Sequence, residues 1–218
     1  LNEERNIERC IKSVPFADDI VVVDSGSRDR TVEIARKNGA RVSVEPWKGF
    51  AKQKTRAAAL ARHDWVLSLD ADEALSDEAQ AEVMGLIESG SLKHEAYSFP
   101  RLTQHLGQWL RHGGCYPDKQ IRLFNKSKTH WSNTEVHEHI VSKDIGKLKS
   151  NILHWSFVNV AHQVQTINKY SSLRALDMDN RGDGFSYFRV VLKPLSKFFE
   201  VYIAKRGFLD GFAGFEVA

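Results

Sequence analysis

Two cysteines in 218 residues, Cys10 and Cys115, cannot build a disulfide framework. Neither stands at metal-ligand spacing: Cys10 falls on an apolar helical stripe and Cys115 in a glycine-rich loop. Both read as reduced thiols of a cytosolic protein. Long apolar runs are missing too. No stretch of ~18 apolar residues marks a membrane span, and no leader-type segment is visible. Charge of one sign is scarce. Thirty-one basic residues against 28 acidic ones leave a formal charge of +3, which by itself gives no case for nucleic acid. No internal repeat or low-complexity tract interrupts the chain. What remains is 42% apolar and 27% charged, the balance of a globular protein with a real core. The length suits one large α/β domain, or one domain with an appendage. Leu1-Asn-Glu-Glu4 already reads as a helix start, and the chain stops in apolar Gly211-Phe-Ala-Gly-Phe-Glu-Val-Ala218. Both ends are therefore expected to be trimmed, with a preceding strand absent.

Helix and strand signals alternate over the first ninety residues. Asn2 is placed to cap a helix carrying Ile7, Cys10, Ile11 and Val14, which Pro15 closes. Asp19-Ile-Val-Val-Val-Asp24 reads as a strand buried on both faces. Ser25-Gly-Ser27 is a tight turn, and Asp29 a cap for a helix ending at Asn38-Gly39. Arg41 to Val44 is a short strand, Phe50 to Arg62 an alanine-rich helix and Trp65 to Leu69 another strand. Ser76 caps a further helix with Asp77 and Glu78 in its first turn. The alternation predicts a mainly parallel sheet covered on both faces, with ligands bound beyond the carboxyl ends of the strands. After Gly90 strands are expected at Glu95 to Arg101, Lys119 to Phe124 and Ile145 to His154, and a helix from Asn159 to about Asp179.

The most informative segment is Trp65-Val-Leu-Ser-Leu-Asp-Ala-Asp-Glu73, a buried strand running into carboxylates. Acids at i and i+2 on the turn leaving a strand can hold a divalent cation, which in turn holds a diphosphate. Oxygen ligands favour Mg2+ or Mn2+ over zinc. The competing reading of Asp70 and Asp72 is a solvated turn before a helix cap. Asp24 ends a second strand on what the alternation makes the same rim. It can accept from a ribose hydroxyl or a base N–H, or merely cap its turn. Gly49-Phe-Ala-Lys-Gln-Lys54 opens a helix in which Gly49 permits close backbone approach. Lys52 can meet a phosphate and Gln53 a base or sugar edge, unless this is simply a solvated basic face.

Leu1-Asn-Glu-Glu4, Val23-Asp-Ser-Gly-Ser27 with Asp29 and Thr31, Gly49 with Lys52 and Gln53, and Leu69-Asp-Ala-Asp-Glu73 come in the order found in family-2 glycosyltransferases. The chain resembles that family, most closely its bacterial lipopolysaccharide-core β-glucosyltransferases, which share Arg122-Leu-Phe124, Val136-His-Glu138 and Leu153-His154. The resemblance implies a GT-A fold, a Rossmann-like α/β/α sandwich that binds a nucleotide sugar. It places Glu3 and Asp24 near the nucleoside and Asp70 and Asp72 at the metal and diphosphate. It also offers a late histidine, His154, as a metal ligand, against the alternative of a satisfied core histidine.

An inverting transferase needs a carboxylate within hydrogen-bond reach of the acceptor hydroxyl. Glu138 is the first choice, in the region where related enzymes carry their base. Glu135 and Asp118 are rivals. His137 and His139 flank Glu138 and suit positioning of the base or the acceptor better than a metal. Arg101, Arg111 and Arg122 can make a basic rim for an acidic saccharide, or can pair with nearby acids. Among the aromatic residues, Trp109 and Tyr116 are preferred for sugar stacking because of their loop context.

Between Arg181 and Arg206 six basic and two acidic residues interleave with Phe185, Tyr187, Phe188, Leu192, Leu195, Phe198, Phe199 and Tyr202. This is the pattern of an amphipathic helix in an anionic membrane interface, kinked or divided at Pro194, or else of a helix packed on the catalytic domain. Three segments are therefore expected: a nucleotide-sugar-binding half at 1–90, an acceptor-side half at 91–158 and a helical extension at 159–218. The whole reads as an inverting, metal-dependent transferase moving a hexose, glucose by preference, from a UDP-sugar to a lipopolysaccharide inner-core sugar. It would work as a peripheral protein on the cytoplasmic face of the bacterial inner membrane. The rivals are transfer to a polyprenyl phosphate, whose ionised acceptor needs no strong base, and a non-catalytic nucleotide-sugar-binding module. An RNA-binding domain fits poorly, since the basic residues concentrate in the C-terminal helices.

Overall fold

The structure is a computed structural model, and it describes residues 1–132, 138–157, 159–182, 184 and 186–218, with only the backbone at 157, 162, 169, 170, 173 and 177. The chain divides into two compact units. One holds Leu1–Arg101 and Lys119–His154, the other Leu102–Asp118 and Trp155–Ala218.

The first unit begins with α1 (Ile7–Lys12), β1 (Val21–Asp24), α2 (Thr31–Lys37), β2 (Arg41–Val44), α3 (Phe50–Leu60), β3 (Trp65–Leu67), β4 (Glu73–Leu75) and α4 (Asp77–Glu88). Asn2 does not cap α1. It sits at φ 61, takes the Arg28 amide on its side chain and donates its own amide to Ser27. Residues 2–4 are thereby tied to the turn after β1, and the helix starts only at Ile7. Long-range partners have overridden a local capping preference. Ser76 does cap α4, accepting from the Ala79 amide at 3.2 Å.

Next come β5 (Ala96–His105), β6 (Gln108–Trp109), β7 (Asp118–Asn125), β8 (His130–Trp131), β9 (Ile140–Val141), β10 (Ile145–Lys147) and β11 (Ile152–Phe157). Strands β1 and β2 pair in parallel. The larger sheet runs β3-β7-β5-β11-β4, with β10 parallel on β5. Its β3–β7 and β4–β11 pairings are antiparallel. The sheet is thus mixed rather than mainly parallel, because β7 and β11 enter beside β3 and β4 from later in the chain. Helix–strand alternation alone does not say which strands become neighbours. Ile145 to His154 likewise forms two strands, not one.

Leu75, Ala79, Val83, Phe99, Leu123 and Ile152 make the main core of this unit. Ile7, Ile11, Ala35 and Ala40 pack α1 against α2, with Ala71 against them. The loop between Asp70 and Asp72 therefore rests on buried apolar side chains.

The second unit contains β6 on the end of β5, α5 (Val160–Asn180), α6 (Lys193–Phe198) and α7 (Gly211–Val217). Wider π-type turns flank α6 at Phe188–Leu192 and Phe199–Ala204. Pro194 lies in the first turn of α6, directly after the wider turn that ends at Leu192. Buried Asp210 accepts the backbone amides of Arg111 and His112 at 2.9 and 2.7 Å and pairs with the His112 ring at 2.7 Å. Among the described residues no helix is long and apolar enough to cross a membrane.

Candidate active site

Two strand ends and one helix assemble the candidate site, all within the first unit. At the end of β1, Asp24 is 3% exposed. Its Oδ2 accepts the amides of Gly26 and Ser27 at 2.8 and 2.7 Å, and its Oδ1 accepts the Ser27 hydroxyl. Burial raises the carboxyl's pKa, but the hydrogen bonds from Ser27 and Gly26 outweigh it and hold the group below its ordinary value. A carboxylate has about four acceptor positions, so most of Asp24 is spent on shaping the turn. Gly26, at φ 90, supplies the left-handed backbone that the turn requires.

Glu3 lies beside this turn, with its amide on Thr31 Oγ1 at 2.7 Å and its carboxylate taking the Asn6 side chain at 2.8 Å. Burial raises its pKa, and the nearby negative charge of Asp72 adds to the rise.

Helix α3 opens at Gly49, φ 99. Lys52 points to solvent. The next two side chains turn inward. Gln53, 9% exposed, donates to Ser25 Oγ at 2.9 Å. Lys54 Nζ lies 2.9 Å from Asp70 Oδ1 and 2.9 Å from Glu138 Oε1, over the ring of Trp131. Adjacent residues of one helix thus reach both strand-end turns.

Asp70 also meets Arg122, its Oδ2 lying 2.7 Å from Nη2. Burial opposes ionisation of Asp70, but Arg122 and Lys54 hold its pKa well below the usual carboxylate range. Strand pairing explains the contact: Leu123 lies opposite Leu67, and the Ser68 amide donates to the Arg122 carbonyl. Arg122 is 4% exposed and shares its guanidinium with Glu73, itself 1% exposed, at 2.7 Å. Arg101 reaches the same Glu73 oxygen at 3.0 Å. Arg122 therefore does not stand on an exposed acceptor rim. Its Nη2 is shared by two carboxylates, in a chain of alternating charge from Glu138 through Lys54, Asp70, Arg122 and Glu73 to Arg101.

Asp72 is separate from that chain. Its Oδ2 lies 3.4 Å from His154 Nε2, and both side chains are partly exposed. The antiparallel pairing of β4 and β11 sets His154 opposite Glu73 and so next to Asp72. One carboxylate and one imidazole suit Mg2+ or Mn2+ if diphosphate oxygens and water complete the shell. Asp70, saturated by two cations, fits a ligand role less well. Among the described residues, no set of three or more His, Cys, Asp or Glu is arranged to hold a metal by itself.

The other expected residues fall as follows. Glu135 and His137 lie outside the described residues. Trp109, Tyr116 and most of their loop belong to the second unit, as does Asp118 at the start of β7. Trp109 meets Trp155 edge to face at 5.5 Å. Cys10 is buried, its thiol 3.5 Å from the Asp70 carbonyl, and burial pushes its pKa up to about 12, disfavouring the thiolate. Lys54 and Glu73 were not among the residues expected from the sequence. The helical spacing of Lys54 with buried Ala58 was the available sign that this lysine faces inward.

Residues 1–148 match the glycosyl transferase family 2 profile. An uncharacterized glycosyltransferase of Rickettsia typhi is 37% identical over 98% of this chain and 77% of its own length. The lipopolysaccharide core biosynthesis glycosyltransferase LpsC of Rhizobium meliloti is 28% identical over 99% of this chain and 82% of its own. Among solved structures, glucosyl-3-phosphoglycerate synthase of Mycobacterium tuberculosis, in complex with Mn2+, UDP and glucosyl-3-phosphoglycerate, aligns over 72% of this chain and 70% of its own, at 18% identity and a TM-score of 0.49. The profile match over residues 1–148 and the Rickettsia typhi relative lead to one statement: the chain belongs to glycosyltransferase family 2 and carries its GT-A fold.

Proposed function

We propose that this glycosyltransferase inverts configuration while moving a hexose, glucose by preference, from a UDP-sugar to a sugar of the lipopolysaccharide inner core. One observation carries the donor half of the reading: Gln53 and Lys54, neighbours on α3, bond to Ser25 and Asp70. The turn beyond β1 would then take the nucleoside, with Glu3 and Asp24 setting its shape, and the turn beyond β3 the diphosphate. Gly49 leaves the start of α3 open to close backbone approach, and Lys52 is the exposed cation beside it.

Glu138 is the proposed base. It takes the acceptor hydroxyl proton as oxygen attacks the anomeric carbon from the face opposite the diphosphate. The glycosidic bond forms as the bond to the leaving diphosphate breaks. Asp72 and His154 would hold Mg2+ or Mn2+, which supplies Lewis-acid stabilisation of the charge left on the diphosphate. Trp109 and Tyr116 remain proposed sugar-stacking residues for the acceptor, and His137 a proposed neighbour of the base.

The acceptor half rests on likeness to the Rhizobium meliloti core transferase. A lipid-linked acceptor would set the protein on the cytoplasmic face of the inner membrane. The exposed apolar side chains of Phe188, Leu195 and Phe199 support that location. The test is product mass after incubation of the full chain with UDP-glucose, Mn2+ and heptose-terminated core oligosaccharide. A mass gain of one hexose is expected. Transfer from none of a panel of UDP-sugars, together with transfer from GDP- or dTDP-sugars, would overturn the donor assignment.

A further inference from the structure

The proposed reaction uses the contact of Lys54 with Asp70 but not its contact with Glu138, and the surroundings of this lysine are restrictive. Its Nζ stands 2.9 Å from Asp70 Oδ1, 3.2 Å from Asp70 Oδ2 and 2.9 Å from Glu138 Oε1. The indole ring of Trp131 lies beneath it, 5.2 Å from nitrogen to centroid. The lysine side chain is only 14% exposed. Two walls of this cage are anchored independently of Lys54. Trp131 is buried edge-on to Phe124 at 5.9 Å, and Asp70 is held by Arg122.

We propose that Lys54 is a positioning residue that holds Glu138 in register with the diphosphate-side turn. This rests on reading Glu138 as the base. An ammonium drawn toward two carboxylates and an aromatic face has little freedom, so the carboxylate that pairs with it inherits a defined place. Glu138 is 13% exposed along its side chain, and Lys54 is its ionic partner. Removing the cation would leave Asp70 and Glu138 facing each other as like charges. Asp70, tied by Arg122, would stay. Glu138 would move away, and with it the atom that must meet the acceptor hydroxyl. One helix would thus align both halves of the reaction, Gln53 bracing the nucleoside turn and Lys54 the base.

The test is a comparison of Lys54→Met, Lys54→Gln, Lys54→Arg and Glu138→Gln in the full chain, using UDP-glucose, Mn2+ and core oligosaccharide. Lys54→Met and Lys54→Gln are expected to lower kcat by roughly 10- to 100-fold, the scale set by displacing a reacting group by about an ångström. UDP affinity by calorimetry should stay within about threefold. Lys54→Arg, which keeps the charge, should recover much of the loss. On a Glu138→Gln background, Lys54→Met should cost nothing more. The proposal is overturned if both neutral variants keep wild-type kcat while Glu138→Gln is inactive. It is overturned equally if they raise the donor KM with kcat unchanged, which would make Lys54 a diphosphate ligand. An active Glu138→Gln removes the base assignment itself, and the role of Lys54 with it, a result distinct from either of those.

Discussion

Asp72 Oδ2 and His154 Nε2 face each other at 3.4 Å, while Asp70, two residues earlier, spends its carboxylate on Lys54 and Arg122. The two acids of the D-x-D segment therefore have different work. In the proposed reaction Asp72 and His154 are the pair that would share a cation, while Asp70 anchors the side chains of Lys54 and Arg122. Replacing Asp72 by Asn should lower Mn2+-supported UDP affinity by roughly 10- to 100-fold, the range expected for disturbing a metal shell. Affinity measured in excess chelator should not change. His154→Ala should behave alike. Calorimetry showing the same Mn2+ effect in Asp72→Asn as in the wild type would remove the metal assignment.

Arg122 and Glu73 form an ion pair at 2.7 Å in which both partners are almost fully buried. Removing Arg122 leaves buried Glu73 with Arg101, at 3.0 Å, as its remaining cation, so the cost should fall toward the lower end of the about 3–5 kcal/mol typical of breaking a buried pair. Arg122→Met should therefore lower the urea midpoint by that equivalent with the slope unchanged. A loss below about 1 kcal/mol would mean that water reaches Glu73 and that the network is less closed than its geometry implies.

Asp19, just before β1, links stability to pH. Arg41 Nε and Nη2 both donate to Asp19 at 2.8 Å, and the Arg62 amide adds a third bond at 2.9 Å. The Arg41 hydrogen bonds, opposed by burial and helped by Arg62, lower the Asp19 pKa from 3.8 to about 2. A depressed folded-state pKa stabilises the fold above the unfolded value and loses that stabilisation as pH falls through the folded one. The stability gap between the wild type and Asp19→Asn should therefore be constant above about pH 4 and should close toward about pH 2. Melting curves with a gap that stays constant through that window would show that Asp19 is not the group responsible.

How much of this was legible in the sequence depends on the range of the signal. The runs Val21–Asp24 and Trp65–Leu67 declare strands locally, the first ending on Asp24 and the second three residues before Asp70. Ser76 announced its helix in the same way. The ion network was not legible. Arg122 meets Asp70 and Glu73 because β7 enters between β3 and β5, a choice that no local pattern records. For Arg122 the sequence left open a basic rim or pairing with nearby acids, and the structure shows the pairing, with Asp70 and Glu73. Asn2 failed as a cap for the same reason, since its partners lie on the turn after β1.

The C-terminal run leaves an apolar stripe open. Phe188, Leu192, Leu195, Phe199 and Ile203 are each more than half exposed and recur at helical spacing, while Arg189, Lys193 and Lys197 follow at every fourth position beside them. Phe198 turns inward instead, stacking on Tyr202 at 5.3 Å. Burying a Leu or Phe side chain is worth about 1.5–3 kcal/mol, and each basic residue near an anionic bilayer adds about 1 kcal/mol. The combination favours an anionic lipid surface over a neutral one. Flotation with phosphatidylglycerol vesicles should therefore carry the protein upward, and phosphatidylcholine vesicles should carry much less. The double variant Leu195→Asp, Phe199→Asp should lower binding at least tenfold, and high salt should weaken binding of the wild type. Equal flotation of wild type and variant would show that the stripe does not meet lipid. A concentration-dependent dimer in sedimentation, lost in the variant, would instead make a second copy of the chain the partner of this face.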